Sequence, residues 1–228
     1  MTSSLRKPWR SDLLITAFAF VLLLVWDVSG LDLAMTRLVA GPDGFPWRDP
    51  WLTRVLLHEG GRVVAWLVFA LLLLNVWRPL IVGPSKAERL RWLLVTLLCV
   101  VAVPALKRIS STSCPWDLAE FGGVALHVSH WRFGVGDGGP GHCFPSGHAV
   151  SAFGFFAGWF ALRGHRPRLA VCWLAGVMTL GVLFGATQFV RGAHYVSHSL
   201  WTGWLCWVLC VLIYDAPKRH AEATTAES

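Results

Sequence analysis

Lys107, His148 and His194 are residue types suited to phosphoryl transfer, and each lies at the border of an apolar run. Lys107 closes one such run. Pro145-Ser146-Gly147-His148 opens the next, and Arg191-Gly192-Ala193-His194-Tyr195-Val196-Ser197-His198 opens another. A phosphoester needs charge around its equatorial oxygens, an in-line nucleophile and an acid for the leaving oxygen. Lys107 and Arg191 offer the charge. The Ser146 hydroxyl and the backbone N–H groups around Gly147, at a helix start, offer hydrogen bonds aided by the helix dipole. One imidazole attacks phosphorus and a second protonates the alkoxide, giving two half-reactions through a phosphohistidine. Taken singly, each residue has a plainer explanation. A lysine at a helix end snorkels to the interface, and Ser-Gly before a helix is an ordinary N-terminal signal. Their convergence at one depth is what carries the reading.

The elements that bring them together are membrane helices. Hydrophobic residues make up 55% of the 228 residues and mean hydropathy is +0.54. Charged residues make up 14%, against about 25% in an average soluble domain. Such a chain cannot hide its apolar surface in one water-soluble core. The hydropathy pattern predicts six membrane helices near 11–27, 61–78, 90–107, 148–163, 168–187 and 197–214. The fold class is therefore an all-α integral membrane bundle, one domain over 1–215. A polar tail at 216–228 is expected to lack fixed structure.

The net charge is +7, but the basic residues flank apolar runs without aromatic interleaving. This suits anionic lipid head groups, not nucleic acid. With the N-terminus in the cytoplasm, twelve Lys and Arg fall inside and eight outside. That bias puts both termini inside and all three chemical stretches at the outer face. The basic N-terminal head reads as part of an anchor, because its apolar run ends at Trp26-Asp27 with no small-residue cleavage site. Two outer segments, 28–60 and 108–147, are long. The first suggests an amphipathic surface helix around Pro50–Glu59. The second contains Gly134 to Gly141, read as a flexible loop that either admits substrate or merely connects. Trp9, Trp26, Trp77, Trp92 and Trp201 read as an interfacial belt.

The three stretches resemble the phosphatidic acid phosphatase type 2 superfamily. Its pattern is Lys-x6-Arg-Pro, then Pro-Ser-Gly-His, then Ser-Arg-x5-His-x3-Asp. The second motif is complete as Pro145–His148. The first departs, with Cys114 before Pro115 in place of Arg. The third departs twice: Gln188 stands six residues before His194 where Arg belongs, and His198 stands at the Asp position. The resemblance implies His194 as nucleophile and His148 as general acid, later the base that activates water. It implies Lys107, Ser146 and Gly147 as phosphate ligands. Arg191, about one helical turn from position 188, would reach the phosphate from a shifted anchor. His198 would orient His194 in place of the Asp. Asp117, in the same outer segment, either supplies the missing carboxylate or is a solvated loop acid.

The implied activity is a metal-independent lipid phosphate phosphatase with no cofactor. The short cytoplasmic loops and compact length look bacterial, which places it in the inner membrane with its site facing the periplasm. Substrates of that kind are undecaprenyl diphosphate, phosphatidylglycerophosphate, phosphatidic acid and lipid A phosphates. A lipid phosphotransferase and a non-catalytic lipid-binding or transport component are the alternatives. Cys99, Cys172, Cys206 and Cys210 fall in apolar runs and read as inert. Cys114 and Cys143 are outside, each beside a motif. On an oxidising face a disulfide would tie the first motif to the second; a Cys/His zinc site is the rival.

Overall fold

Within a bilayer every backbone polar group must be satisfied internally, so long apolar runs become helices. The computed structural model describes residues 8–132 and 134–226, and among them five helices are long and apolar enough to cross a membrane. Arg6 and Lys7, which contribute to the inward charge bias, lie outside the described residues. The order is α1 (Pro8–Val28), α2 (Leu31–Val39), α3 (Leu52–Trp77), α4 (Lys86–Ile109), α5 (Val150–Leu162), α6 (Pro167–Val190) and α7 (Val196–Ala226). Helix α2 is short. No regular strand occurs among the described residues, only two isolated bridges.

The predicted sixth membrane helix is α5, and it is short. It spans Val150–Leu162, broken by a tight turn at Gly154–Phe156. Its length fits its place. α5 packs against α4, α6 and α7, and Ala152 through Gly158 are all buried. A helix that is apolar all round belongs in a core. Around it lie Trp92, Cys99, Cys206, Cys210 and Tyr214.

Four other expectations change. Residues 52–59 do not form a separate surface helix. They are the first turns of α3, wound wide, so that the Gly60 N–H bonds to the Val55 carbonyl five residues back. The Gly-rich stretch is not loose. The buried Asp137 carboxylate accepts from Ser113 N (2.6 Å), Ser113 Oγ (2.8 Å) and Gly139 N (3.0 Å), pinning the stretch to the chain after α4. The segment after Asp215 continues as α7 through Ala226. Trp92 and Trp201 are buried, not interfacial: Trp92 packs edge-on against Trp173, and Trp201 donates to Asp27.

Local chemistry fixes the helix ends. Ser85 and Glu88 form a reciprocal capping box that starts α4. The Asp32 carboxylate, from α2, accepts from Ser197 N and Ser197 Oγ and so caps α7 from another element. Away from the chemical stretches, Arg163 follows α5 and joins three elements. Its guanidinium donates to Asp12 of α1 (2.5 Å) and Asp215 of α7 (3.0 Å), and both carboxylates are buried.

Candidate active site

The starts of α3, α5 and α7 and the ends of α4 and α6 meet around one polar cavity of about 310 Å³. Lys107, Gly147, His148, Arg191 and His194 line it, with Cys114 and Gln188.

His194 arrives there because of how α6 stops. Gly192 takes a left-handed φ of 71°, which a side chain would resist. Its N–H bonds to the Phe189 carbonyl and the Ala193 N–H to the Gln188 carbonyl, the reciprocal pair that ends helices. The chain then turns inward and presents His194. Its Nδ1 lies 3.5 Å from His198 Nδ1 and 3.4 Å from Cys143 Sγ. With Nδ1 occupied on that side, Nε2 is left for the cavity. Burial, then His198, Lys107 and His148, holds the His194 pKa well below its ordinary value. The imidazole is therefore neutral and nucleophilic at neutral pH.

His148 forms another wall. Its pKa is pushed down to about 3, first by burial and then by the charges of His58, Arg191 and Arg62. Its Nε2 is buried with no hydrogen-bond partner among the described residues. Gln188 Nε2 is in the same condition. Two unsatisfied buried polar atoms in one cavity wall are costly unless a ligand meets them. The Lys107 chain passes over Gly147, so a Cβ at 147 would sit 3.5 Å from Lys107 Cδ.

Arg191 is held from two sides, donating from Nε to the Arg48 carbonyl (2.8 Å) and from Nη1 to Gln188 Oε1 (3.3 Å). Positions 188 and 191 thus share a face, as their spacing predicts, and both line the cavity.

Two expected residues are elsewhere. Ser146 is fully buried; its Oγ accepts from Ala149 N (3.4 Å) and its N–H bonds to the His198 carbonyl (3.1 Å). It closes the turn that leads into α5 and ties that turn to α7, and it does not line the cavity. Asp117 does not reach His194. Its Oδ2 accepts from Cys114 N (3.2 Å), closing its own turn, and burial raises its pKa. His198 is buried behind His194. The ionisable pair beyond it is His130 and Asp27, joined at 3.2 Å, with the His130 ring 6.0 Å from His198.

Cys114 and Cys143 are bonded as a disulfide with Cα atoms 5.2 Å apart. With His194 they also form a cluster whose ligand atoms lie within 4.8 Å. Sulfurs bonded to each other are not thiolates, so this set does not fit zinc while oxidised. The bond closes a separation of 29 residues. Chain entropy gives such a loop roughly 3–4 kcal/mol. Cys114→Ser/Cys143→Ser should lower the unfolding free energy by about that amount, read by thermal denaturation in detergent. An unchanged Tm would show that the bond does not hold these two stretches.

His58, Arg62, Trp116 and Ser151 also line the cavity and were not singled out by sequence. His58 and Arg62 are one turn apart on α3, but nothing in their spacing to Lys107 or His148 signals proximity.

Site and fold together define an integral membrane, all-helical protein with lysine, arginine and two histidines around one polar cavity. The PAP2 superfamily model matches residues 89–222, and the chain belongs to that superfamily. Among solved structures, the chain is similar to a transmembrane PAP2-type phosphatidylglycerolphosphate phosphatase from Bacillus subtilis. The TM-score is 0.54 at 20% identity, covering 90% of this chain and 96% of that one. No curated protein matches.

Proposed function

We propose that this protein hydrolyses a phosphomonoester or diphosphate on a membrane lipid, at the outer face of the membrane, through a phosphohistidine on His194. The observation that carries this reading is the placing of two neutral histidines, Lys107 and Arg191 around one polar cavity at the ends of membrane helices. Membership of the PAP2 superfamily supports it.

In the first half-reaction His194 Nε2 attacks phosphorus and the phosphorus–oxygen ester bond breaks. The leaving lipid oxygen takes a proton from His148, which has first received it from the substrate monoanion. Lys107 and Arg191 neutralise the non-bridging oxygens, and Gln188 Nε2 offers a further donor. In the second, His148 takes a proton from water. The water oxygen attacks phosphorus, the P–N bond breaks, and orthophosphate leaves carrying the proton from His148, so that both histidines are neutral again. His198 steadies His194 through Nδ1, with less charge than a carboxylate would provide. No metal is required by these steps. The disulfide beside the cavity suits an oxidising compartment, which agrees with the charge bias that puts this end outside. A bacterial inner membrane with both termini cytoplasmic is the setting that follows.

Phosphate release should be measured on phosphatidic acid, phosphatidylglycerophosphate, undecaprenyl diphosphate and lipid A. Release from at least one, with none from the others' unphosphorylated forms, is expected. Transfer of phosphate to a lipid acceptor with no orthophosphate would make the protein a transferase instead.

The low His148 pKa gives a pH signature. At neutral pH His148 of the free enzyme is a neutral imidazole, so the proton for the leaving group enters with the substrate monoanion. For a phosphomonoester, kcat/KM should therefore fall as pH rises through the substrate's second ionisation, near about 6. It should hold on acidification until His148 itself titrates, near 3. A rising limb with a midpoint at an ordinary histidine pKa would contradict this assignment.

A further inference from the structure

His148 is gripped by α3, which no motif of the site includes. The His58 ring lies against the His148 ring, with centroids 4.5 Å apart and planes tilted by 37°. Phe184 of α6 lies 5.1 Å from the same imidazole. Two ring contacts thus define the imidazole's place, and its Nε2 has no partner among the described residues.

The grip is itself held. His58 Nδ1 is 3.0 Å from Glu59 Oε1, and Arg62 Nη1 donates to Glu59 Oε2 at 3.2 Å. All of these residues stand on or just after the widely wound start of α3. Such winding changes the direction of side chains relative to the rest of a helix, and it recurs at functional sites. Gly61 completes the fit: a Cβ there would fall 2.8 Å from the Phe184 ring, so its absence lets Phe184 close on α3 beside His58.

We propose that His58, steadied by Glu59, is a positioning residue that holds His148 in the orientation needed to protonate the leaving oxygen. This rests on the hydrolase reading above and adds a residue that acts through His148 without touching phosphorus. Aromatic contact at this distance is stabilising, and a general acid misplaced by about 1 Å loses on the order of 100-fold in rate.

The test uses two substrates with the same lipid chain. One has an alkyl phosphate, whose leaving oxygen needs a proton; the other has an aryl phosphate bearing a nitro group, whose oxygen leaves without one. His58→Ala should lower kcat on the alkyl substrate by about 10–100-fold and on the aryl substrate by no more than about threefold, the same selectivity that His148→Ala shows more strongly. His58→Phe keeps the ring contact and should recover most of the alkyl activity. Thermal stability in detergent accompanies each variant. Equal losses on both substrates, or no loss on the alkyl one, would overturn the positioning role. His194→Ala separates the two claims. If it is inactive while His58→Ala shows no leaving-group selectivity, only this inference fails; if it is fully active, the hydrolase reading fails as well.

Discussion

His194→Ala is expected to lower lipid phosphate hydrolysis by about 10⁴-fold or more, with substrate binding largely kept. The size follows from what the residue does. A nucleophile that forms the covalent intermediate cannot be replaced by its neighbours, and removing such a group elsewhere costs on the order of 10⁶ in kcat. Here Lys107 and Arg191 remain to bind the phosphate after the substitution, so KM should move far less than kcat. His198 stands behind His194 at 3.5 Å and is buried, so it has no route to the phosphorus. Turnover within tenfold of the unsubstituted protein would remove His194 from the reaction.

The second large effect lies away from the chemistry. Arg163→Ala leaves Asp12 and Asp215 buried without the guanidinium that joins them. Breaking a buried ion pair by removing one partner costs about 3–5 kcal/mol. For a chain of this size that corresponds to a drop in Tm of roughly 6–20 °C. Replacing all three residues with apolar ones of similar volume should recover much of the loss, since buried pairs add little beyond what good packing supplies. Below the lowered Tm, kcat should be unchanged, because neither carboxylate lines the cavity. A shift of less than 2 °C would mean the two acids are stabilised in another way.

The fold class was legible because hydropathy acts over whole segments. Five membrane helices coincide with predicted ones; the run predicted at 148–163 is the shorter apolar helix α5, so the count of six membrane helices is not borne out. An apolar run reads the same whether it meets lipid or neighbouring helices, so the enclosure of α5 by α4, α6 and α7 left no trace in composition. The start of α3 was misread for a related reason. Arg54, His58, Glu59 and Arg62 lower its hydropathy, and those polar residues are the ones that gather at the site end.

Within the site, the complete Pro145–His148 motif and the position of His194 located the cavity. Ser146 is not among the residues lining the cavity; a serine before a helix serves equally as a cap or a ligand, and here its oxygen accepts from the Ala149 N–H. Asp117 was placed by chain segment alone, and its carboxylate turns back to its own backbone. The His58 grip on His148 crosses 90 residues of sequence, and His58 belongs to no motif. Only the path of α3 past α5 and α6 brings those rings together. The His130–Asp27 pair behind His198 is likewise a tertiary fact.

The most direct test of the account is trapping of the covalent intermediate. Purified protein would be mixed with a ³²P-labelled lipid phosphate that it hydrolyses, quenched in alkali within milliseconds to seconds, digested and mapped. The account predicts label that is stable to base and labile to acid, on the peptide containing His194, and absent from His194→Ala. Label on another residue, or full turnover with no labelled protein at any time, would contradict it.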